Sequence, residues 1–427
     1  MTTTSGAGGG GSIHALCDDV LAEILVRLPS KSVLRCRAVC RWWRRVTTAG
    51  SFLAAHSARR PLEMLTLSFS DYRIMPPTTT VSTMPLSADD PTPATERSRP
   101  RLSSSRILLA GGGGGDGTAL LYSLDGLLVL SQPPGRFVVC NPATRQWTSL
   151  PLPVPPPEPR RFAAVACGFY RHGESGEYRL LCHVGYRRQS YYYILAAGAA
   201  APRRLGRAPH PRSSAGYDVL VARRGVLHWL ASHPEASTGK ILAFDTASET
   251  FRLMSPPPPE PAGDTAAAAR GLLEVDGELV SVAATAMERG AATASMAIWA
   301  LEDYEAEAWT LRRRVEVPSP PLPTLSRGGY VVNGALPNCR LILSVGDGEI
   351  IIGNCCSLYE ARFYPCKNSR TVGAARFYDL KNWRMVGEIS FVDENPISLV
   401  FRESLVSHAF FNLPRSSSQV AYIKFYD

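Results

Sequence analysis

The 427-residue chain lacks the features that would place it in several large protein classes. It has no run of about 18 apolar residues, so no membrane-spanning helix is expected. Its opening, MTTTSGAGGGGS, carries neither a basic stretch nor an apolar one; no secretory leader is expected, and residues 1–12 read as a disordered tail. None of the ten cysteines forms a Cys-x-x-Cys pair. Cys36 and Cys40 lie one helical turn apart, but no His or Cys cluster completes a tetrahedral site. Reduced thiols in the cytoplasm or nucleus are expected, with no structural metal and no cofactor. Gly-x-Ser-x-Gly, His-Glu-x-x-His and a Walker loop are missing as well. The run GGGGGDGT at 111–118 is not followed by Gly-Lys-Ser/Thr, so it reads as low complexity rather than a phosphate cradle. The eight histidines are dispersed, and His228 and His233 fall on opposite faces of a strand. Glu302 and Asp303 are neighbours in a turn, where solvated charge is the ordinary explanation. No catalytic residue is nominated and an enzyme is not expected.

What is present is concentrated first in residues 16–52, LCDDVLAEILVRLPSKSVLRCRAVCRWWRRVTTAGSF. At about 100° per residue, Leu16, Val20, Leu21, Ile24, Leu25 and Leu28 fan across about half of a helix. A helix facing one core needs a stripe little wider than about 100°. Asp18, Asp19 and Glu23 occupy the other side, and the two Asp suit a helix N-terminus. Pro29 ends this helix, Ser30 can cap the next, and Val33, Leu34 and Val39 continue the apolar pattern. Trp42 and Trp43 are adjacent, so one of them is expected to face outward. Three short helices of this size bury too little to stand alone, and an outside partner is the expected source of the missing burial.

The net charge is +9, and much of the excess is local. Between Ile13 and Arg60 stand nine Lys or Arg against three Asp or Glu. Such a cluster suits nucleic acid. Yet Arg35, Arg37, Arg41, Arg44 and Arg45 are interleaved with a helix-packing pattern. A solvated face, or a surface for an acidic protein partner, is preferred, with nucleic-acid binding kept as a secondary reading.

Residues 16–52 resemble an F-box. Leu16, Asp18, Ile24, Leu25, Leu28, Pro29, Lys31, Ser32, Leu34, Arg37, Val39, Cys40, Arg41, Trp43 and Phe52 stand in matching order, while Cys17 replaces the family's proline. The resemblance implies an all-α module over 13–60 that docks a Skp-family adaptor. The docking residues it implies are Leu16, Val20, Ile24, Leu25, Leu28, Pro29, Ser32, Leu34, Val39, Cys40 and Trp43.

Beyond Pro61 the pattern changes to short β-branched or aromatic runs punctuated by Gly, Pro and Asn. Residues 61–118 read as first β elements followed by a Pro/Ser/Gly-rich linker or loop. From 119 to 427 a unit recurs: a strand pair, an Asn or Asp, a short turn, then an aromatic. The copies place Asn141 with Trp147, Asp245 with Phe251, Asp303 with Trp309 and Asp379 with Trp383. A weaker copy has Arg203 and Arg204 in place of the aromatic. Successive copies are roughly 48 to 74 residues apart, which suits a β-propeller of about six blades with inserted loops. The turn residue should fix a hairpin, and the aromatic should fill the gap between blades as a core residue.

The phrases around Asn141 (Asn-Pro-x-Thr), Gly225 (Gly-x-Leu-His-Trp-Leu), Phe244, Trp299 and Glu403 (Glu-Ser-Leu-Val-Ser) resemble the F-box-associated domain of plant F-box proteins. The two resemblances together imply the substrate receptor of an SCF-type cullin ubiquitin ligase. Its partners would be the adaptor, the cullin scaffold and an unknown target protein. The alternatives are an adaptor-binding scaffold outside degradation, or a plain propeller interaction protein.

Overall fold

The computed structural model describes residues 16–69, 78–86, 106–110, 119–132, 135–152, 163–186, 189–205, 221–230, 240–258, 269–284, 293–318, 341–346, 349–354, 372–379, 384–392, 395–413 and 423–426. The tail expected at 1–12 lies outside them, as do Trp383 and His233.

Four helices come first: α1 (Asp18–Leu25), α2 (Ser30–Cys36), α3 (Arg41–Thr48) and α4 (Gly50–Ala58). The sequence pattern suggested three. The fourth begins where Ala49 turns extended (ψ 139°), which separates it from α3. Its consecutive Phe52, Leu53, Ala54 and Ala55 spread apolar groups around the helix, so no amphipathic period announces it.

Beyond them, the described residues form five four-stranded antiparallel sheets and one five-stranded sheet, matching the expectation of about six blades. Blade 1 is composite. Its strands run in the order Asn395–Phe401, Glu63–Phe69, Thr78–Pro85, Arg106–Ala110 and Ile423–Tyr426, so the end of the chain closes the ring on its beginning. Closing a ring this way ties the two ends of the propeller together in one sheet. Blades 2 to 6 follow in sequence within 119–149, 163–204, 221–254, 269–318 and 341–392.

The first strands of the blades face one another around the centre. Ala119–Leu124 lies beside both Asn395–Phe401 and Ala163–Arg171, and Ala269–Val275 lies beside both Val221–Arg223 and Leu341–Gly346. Leu341–Gly346 returns to Asn395–Phe401. Blades 3 and 4 are joined by the Trp229 indole N–H, which donates to the Cys167 carbonyl at 2.7 Å.

Three strands of blade 1 lie within 61–118, where first β elements were expected; the Pro/Ser/Gly-rich stretches read there as linker or loop lie outside the described residues. The Pro, Ser and Gly flanking Thr78–Pro85 and Arg106–Ala110 hide them from a composition-based reading.

The recurring Asn or Asp forms the turn before the outer strands of blades 2, 4 and 5. Asp245 Oδ1 accepts the Ala247 and Ser248 amides at 2.9 and 2.7 Å, and Asp303 Oδ1 accepts those of Glu305 and Ala306 at 2.9 Å each. Asn141 Oδ1 accepts the Thr144 amide at 3.2 Å. Each turn ends on a left-handed residue, Arg145 (φ 57°), Glu249 (φ 54°) or Glu307 (φ 54°). The following aromatic then reaches the preceding blade. Phe251 packs 4.7 Å from the Tyr192 ring, and the Trp309 N–H donates to the Ser255 carbonyl at 2.9 Å. Trp147, Phe251 and Trp309 are half-buried rather than fully buried, because they cap the outer rim of the gap between blades. Full burial belongs to residues nearer the axis, such as Phe244 and Trp229. In the degenerate copy, the short strand Arg203–Arg204 pairs with Tyr193 and Ile194. Arg203 reaches Glu249 of the next blade, and Arg204 lies over the Tyr191 ring at 3.7 Å.

Candidate protein-docking surface

The helices at the N-terminal end of the chain build a small core of their own. Leu21, Leu25, Val26, Val33, Val46 and Phe52 are buried together, with Leu28, Leu34, Cys36, Trp42, Trp43 and Leu53 packed around them. Pro29, extended at ψ 150°, turns the chain from α1 into α2. Cys40 stands in the N-cap position of α3, its Sγ accepting the Trp43 amide at 3.5 Å.

A polar clamp ties α3 to α1. The Trp42 indole donates to Asp18 Oδ1 at 2.5 Å, and Arg45 Nη2 reaches both Asp18 oxygens at 3.1 and 2.9 Å. These contacts, the Trp42 bond foremost, hold the Asp18 carboxyl below its ordinary range. The clamp is exposed, so its role is to set helix orientation more than to add stability. Other cations of the module are also engaged internally: Arg27 and Arg59 lie 3.6 Å from Glu23, and Arg37 donates to the Thr47 carbonyl at 2.9 Å.

The residues implied as adaptor-docking separate into three groups. Val20, Ile24 and Val39 are outward, at 45%, 48% and 64% exposure, and Pro29 is exposed beside them in the sequence. Leu16, Leu28, Ser32, Leu34, Cys40 and Trp43 are half-buried. Leu25 faces inward at 2% exposure. The wide arc on α1 is therefore two arcs, Leu21 and Leu25 within and Val20 and Ile24 without. Both tryptophans are half-buried, which corrects the expectation that one would face out. Consecutive positions differ by about 100°, and a core this small lets both flank it. The Trp43 indole N–H is enclosed with no acceptor among the described residues.

Some of the burial expected from a partner is supplied by the chain itself. Leu405, from beyond the last inner strand, is 1% exposed inside the helical core, and Ala143 of blade 2 packs against it. Sequence reasoning missed this contact. Its only local signal was a Leu within the polar phrase Glu-Ser-Leu-Val-Ser.

Among the described residues, no group of three or more His, Cys, Asp or Glu is placed to hold a metal. Titratable side chains of the ring are used in packing and turn contacts. His228 donates to or accepts from the Tyr304 hydroxyl at 2.9 Å across blades 4 and 5, and burial pushes it down to about 4. Glu249 joins Arg179 at 2.6 Å and the Tyr170 hydroxyl at 2.8 Å across blades 3 and 4. Asp303 is used by its turn, and Glu302 lies 3.4 Å from Arg312.

Comparison with known proteins agrees with this architecture. Residues 13–54 match an F-box-like family, and residues 114–355 match the F-box associated beta propeller domain. The F-box protein At5g49610 of Arabidopsis thaliana is 26% identical over 319 residues, 69% of this chain and 77% of that one. The F-box protein ETP2 of the same plant is 27% identical over 250 residues, 55% of this chain and 60% of that one. With more than half of its length matched by the propeller family and its helices by the F-box, the chain belongs to the family of F-box proteins with an F-box-associated β-propeller.

Proposed function

We propose that this protein is a substrate receptor of an SCF-type cullin ubiquitin ligase. The observation that carries the reading is the outward apolar pair Val20 and Ile24, one helical turn apart on a module that already has a core. Burying that surface against a Skp-family adaptor removes it from water at about 25 cal/mol per Å². The docking set is Leu16, Val20, Ile24, Leu28, Pro29, Ser32, Leu34, Val39, Cys40 and Trp43, with Leu25 supporting it from behind. Internal pairing of Arg27, Arg37, Arg45 and Arg59 favours a protein partner over nucleic acid for this face.

The receptor itself does no bond chemistry. It holds a target protein on the propeller, in the cytoplasm or nucleus, and raises the effective concentration of target lysines beside a ubiquitin-charged enzyme. Affinity purification of the full chain with mass spectrometry, with and without proteasome inhibition, tests this. Adaptor and cullin peptides are expected in both samples, and targets enriched under inhibition. Recovery of the chain without adaptor would refute the receptor reading, and adaptor without stabilised targets would leave the scaffold alternative.

A further inference from the structure

Blades 2 to 6 are antiparallel meanders, so the first and third turns of each emerge at the same end of the ring. After the inner strand Asn395–Phe401, residues 402–413 run along that end and touch both folding units. Toward the helices, the Ser30 hydroxyl donates to Glu403 Oε2 at 2.5 Å, the Ser57 hydroxyl donates to the Glu403 carbonyl at 3.2 Å, and Leu405 enters the helical core. Toward the ring, the Asn141 amide donates to the Ser404 and Val406 carbonyls at 3.0 and 3.2 Å. Farther on, the His408 ring meets Tyr178 at 5.0 Å, and Phe411 is buried in the core shared by blades 2 and 3.

Two positions on blade 2 differ from their counterparts in a way that only this segment explains. Blades 4 and 5 use Asp245 and Asp303 in the turn where blade 2 has Asn141. A carboxylate serves the turn, since the turn asks only for an acceptor. It cannot donate to two carbonyls, and Asn141 does both jobs. The second position is Gly126. Gly126 and Gly277 occupy the same first turn in blades 2 and 5, at φ 79° and 80°. A Cβ on Gly277 would meet nothing within 4 Å, whereas one on Gly126 would lie 2.4 Å from the Ser404 Cβ and 2.8 Å from its nitrogen.

We propose that residues 402–413 are a strap that fixes the helices in one orientation on the end of the propeller, with Asn141 and Gly126 as its anchors on the ring. A partner docked on the helices is thereby held at a set distance and angle from whatever the ring binds. The strap is a positional device, and it stands whether or not that partner is a Skp-type adaptor.

Hydrogen exchange with mass spectrometry on the full chain, without any partner, tests the strap through paired substitutions. Asn141→Asp keeps the turn acceptor and removes the two donors; Asp245→Asn makes the reverse change where no strap passes. Gly126→Ala and Gly277→Ala impose the same left-handed strain, but only the first displaces Ser404. Asn141→Asp and Gly126→Ala are expected to speed exchange in α1–α4 and in 402–413 by at least about tenfold, with blades 4 and 5 unchanged. Asp245→Asn and Gly277→Ala should leave the helices at the wild-type rate. Unchanged helix exchange in the first pair, or equal acceleration in the controls, would overturn the proposal. Should a blade 2 variant fail to fold, Leu405→Ala, which spares both anchors, must give the same helix-specific acceleration for the strap to stand.

Discussion

In the ring, every described gap between blades is filled from both sides. Leu127 and Val139 of blade 2 pack with Leu180 and Leu195 of blade 3, and Tyr192 of blade 3 packs with Leu227, Trp229 and Phe244 of blade 4. The sheets of blades 2, 3 and 4 therefore hide both faces against their neighbours. Among the described residues, the helical core receives only Leu405 and Ala143 from the rest of the chain. The helices leave Val20, Ile24 and Val39 largely exposed and enclose a Trp43 N–H that has no acceptor among the described residues. The contrast teaches that blades 2 to 4 satisfy one another's burial, while the helical module carries apolar surface in excess of what its own folding uses. Function is best sought where burial is unfinished.

The contrast would be broken most severely in the ring. Phe244 is fully buried between blades 3 and 4, 4.8 Å from Phe251 and 5.8 Å from Tyr170. Phe244→Ala should cost about 3 to 5 kcal/mol, enough to unfold a marginal domain, read as a large fall in the urea midpoint. Loss confined to blades 3 and 4 by hydrogen exchange would show that the blades unfold separately. In the helices, Leu21→Ala should cost about 2 to 5 kcal/mol, since Leu21 is fully buried there. That loss should appear as faster exchange in α1–α4, with the ring's urea midpoint retained.

These two expectations draw on information of different reach. The helix boundary at Pro29 and the acidic first turn of α1 depend on neighbours within a few residues, so they are legible in the sequence. The same holds for the turn–aromatic repeat, since Asp245 and Asp303 bond amides two and three positions ahead. What could not be read is contact at long range. Ser30 and Glu403 are 373 positions apart, and nothing near either residue announces the other. Burial depth was hidden too. Periodicity placed Trp147 and Phe251 on the correct face of their strands but did not distinguish the outer rim of a gap from its centre. On α1, one wide apolar arc did not reveal which half the module would keep for itself.

A pH scan sharpens the comparison from the side of the ring. His228 is fully buried, and burial lowers it from the ordinary 6.5 to about 4. Above pH 6.5 the imidazole is neutral in both the folded and unfolded chain. Between about 6.5 and 4 the unfolded chain binds the proton first, so stability falls as the pH falls. The shift corresponds to roughly 3 kcal/mol once pH 4 is reached. His56, inside the helices, and His408, on the strap, are lowered in the same direction by burial. The urea midpoint should therefore drop from pH 7 to pH 4.5. His228→Gln should flatten the drop in the ring's unfolding while leaving the helices' own acid sensitivity in place.

The smallest effect on stability, and the sharpest test of the contrast, lies on the outer half of α1. Ile24 and Val20 stand next to Leu25 and Leu21 in the sequence, yet they bury about half of their surface while their neighbours bury nearly all of it. Ile24→Ala and Val20→Ala leave no enclosed cavity, so each should change the unfolding free energy by no more than about 0.5 kcal/mol. Their cost should appear on binding instead. If this ridge is the centre of an adaptor interface, the double substitution should weaken adaptor affinity by roughly thirtyfold, as expected for about 2 kcal/mol lost at an interface hot spot. Calorimetric titration of the full chain with a Skp-family adaptor, beside a urea titration of the same variant, separates the two readouts. A stable variant with weakened binding means that the exposed arc serves a partner. If binding is unchanged, the excess apolar surface serves some other contact; if stability falls, these side chains belong to the module's own core.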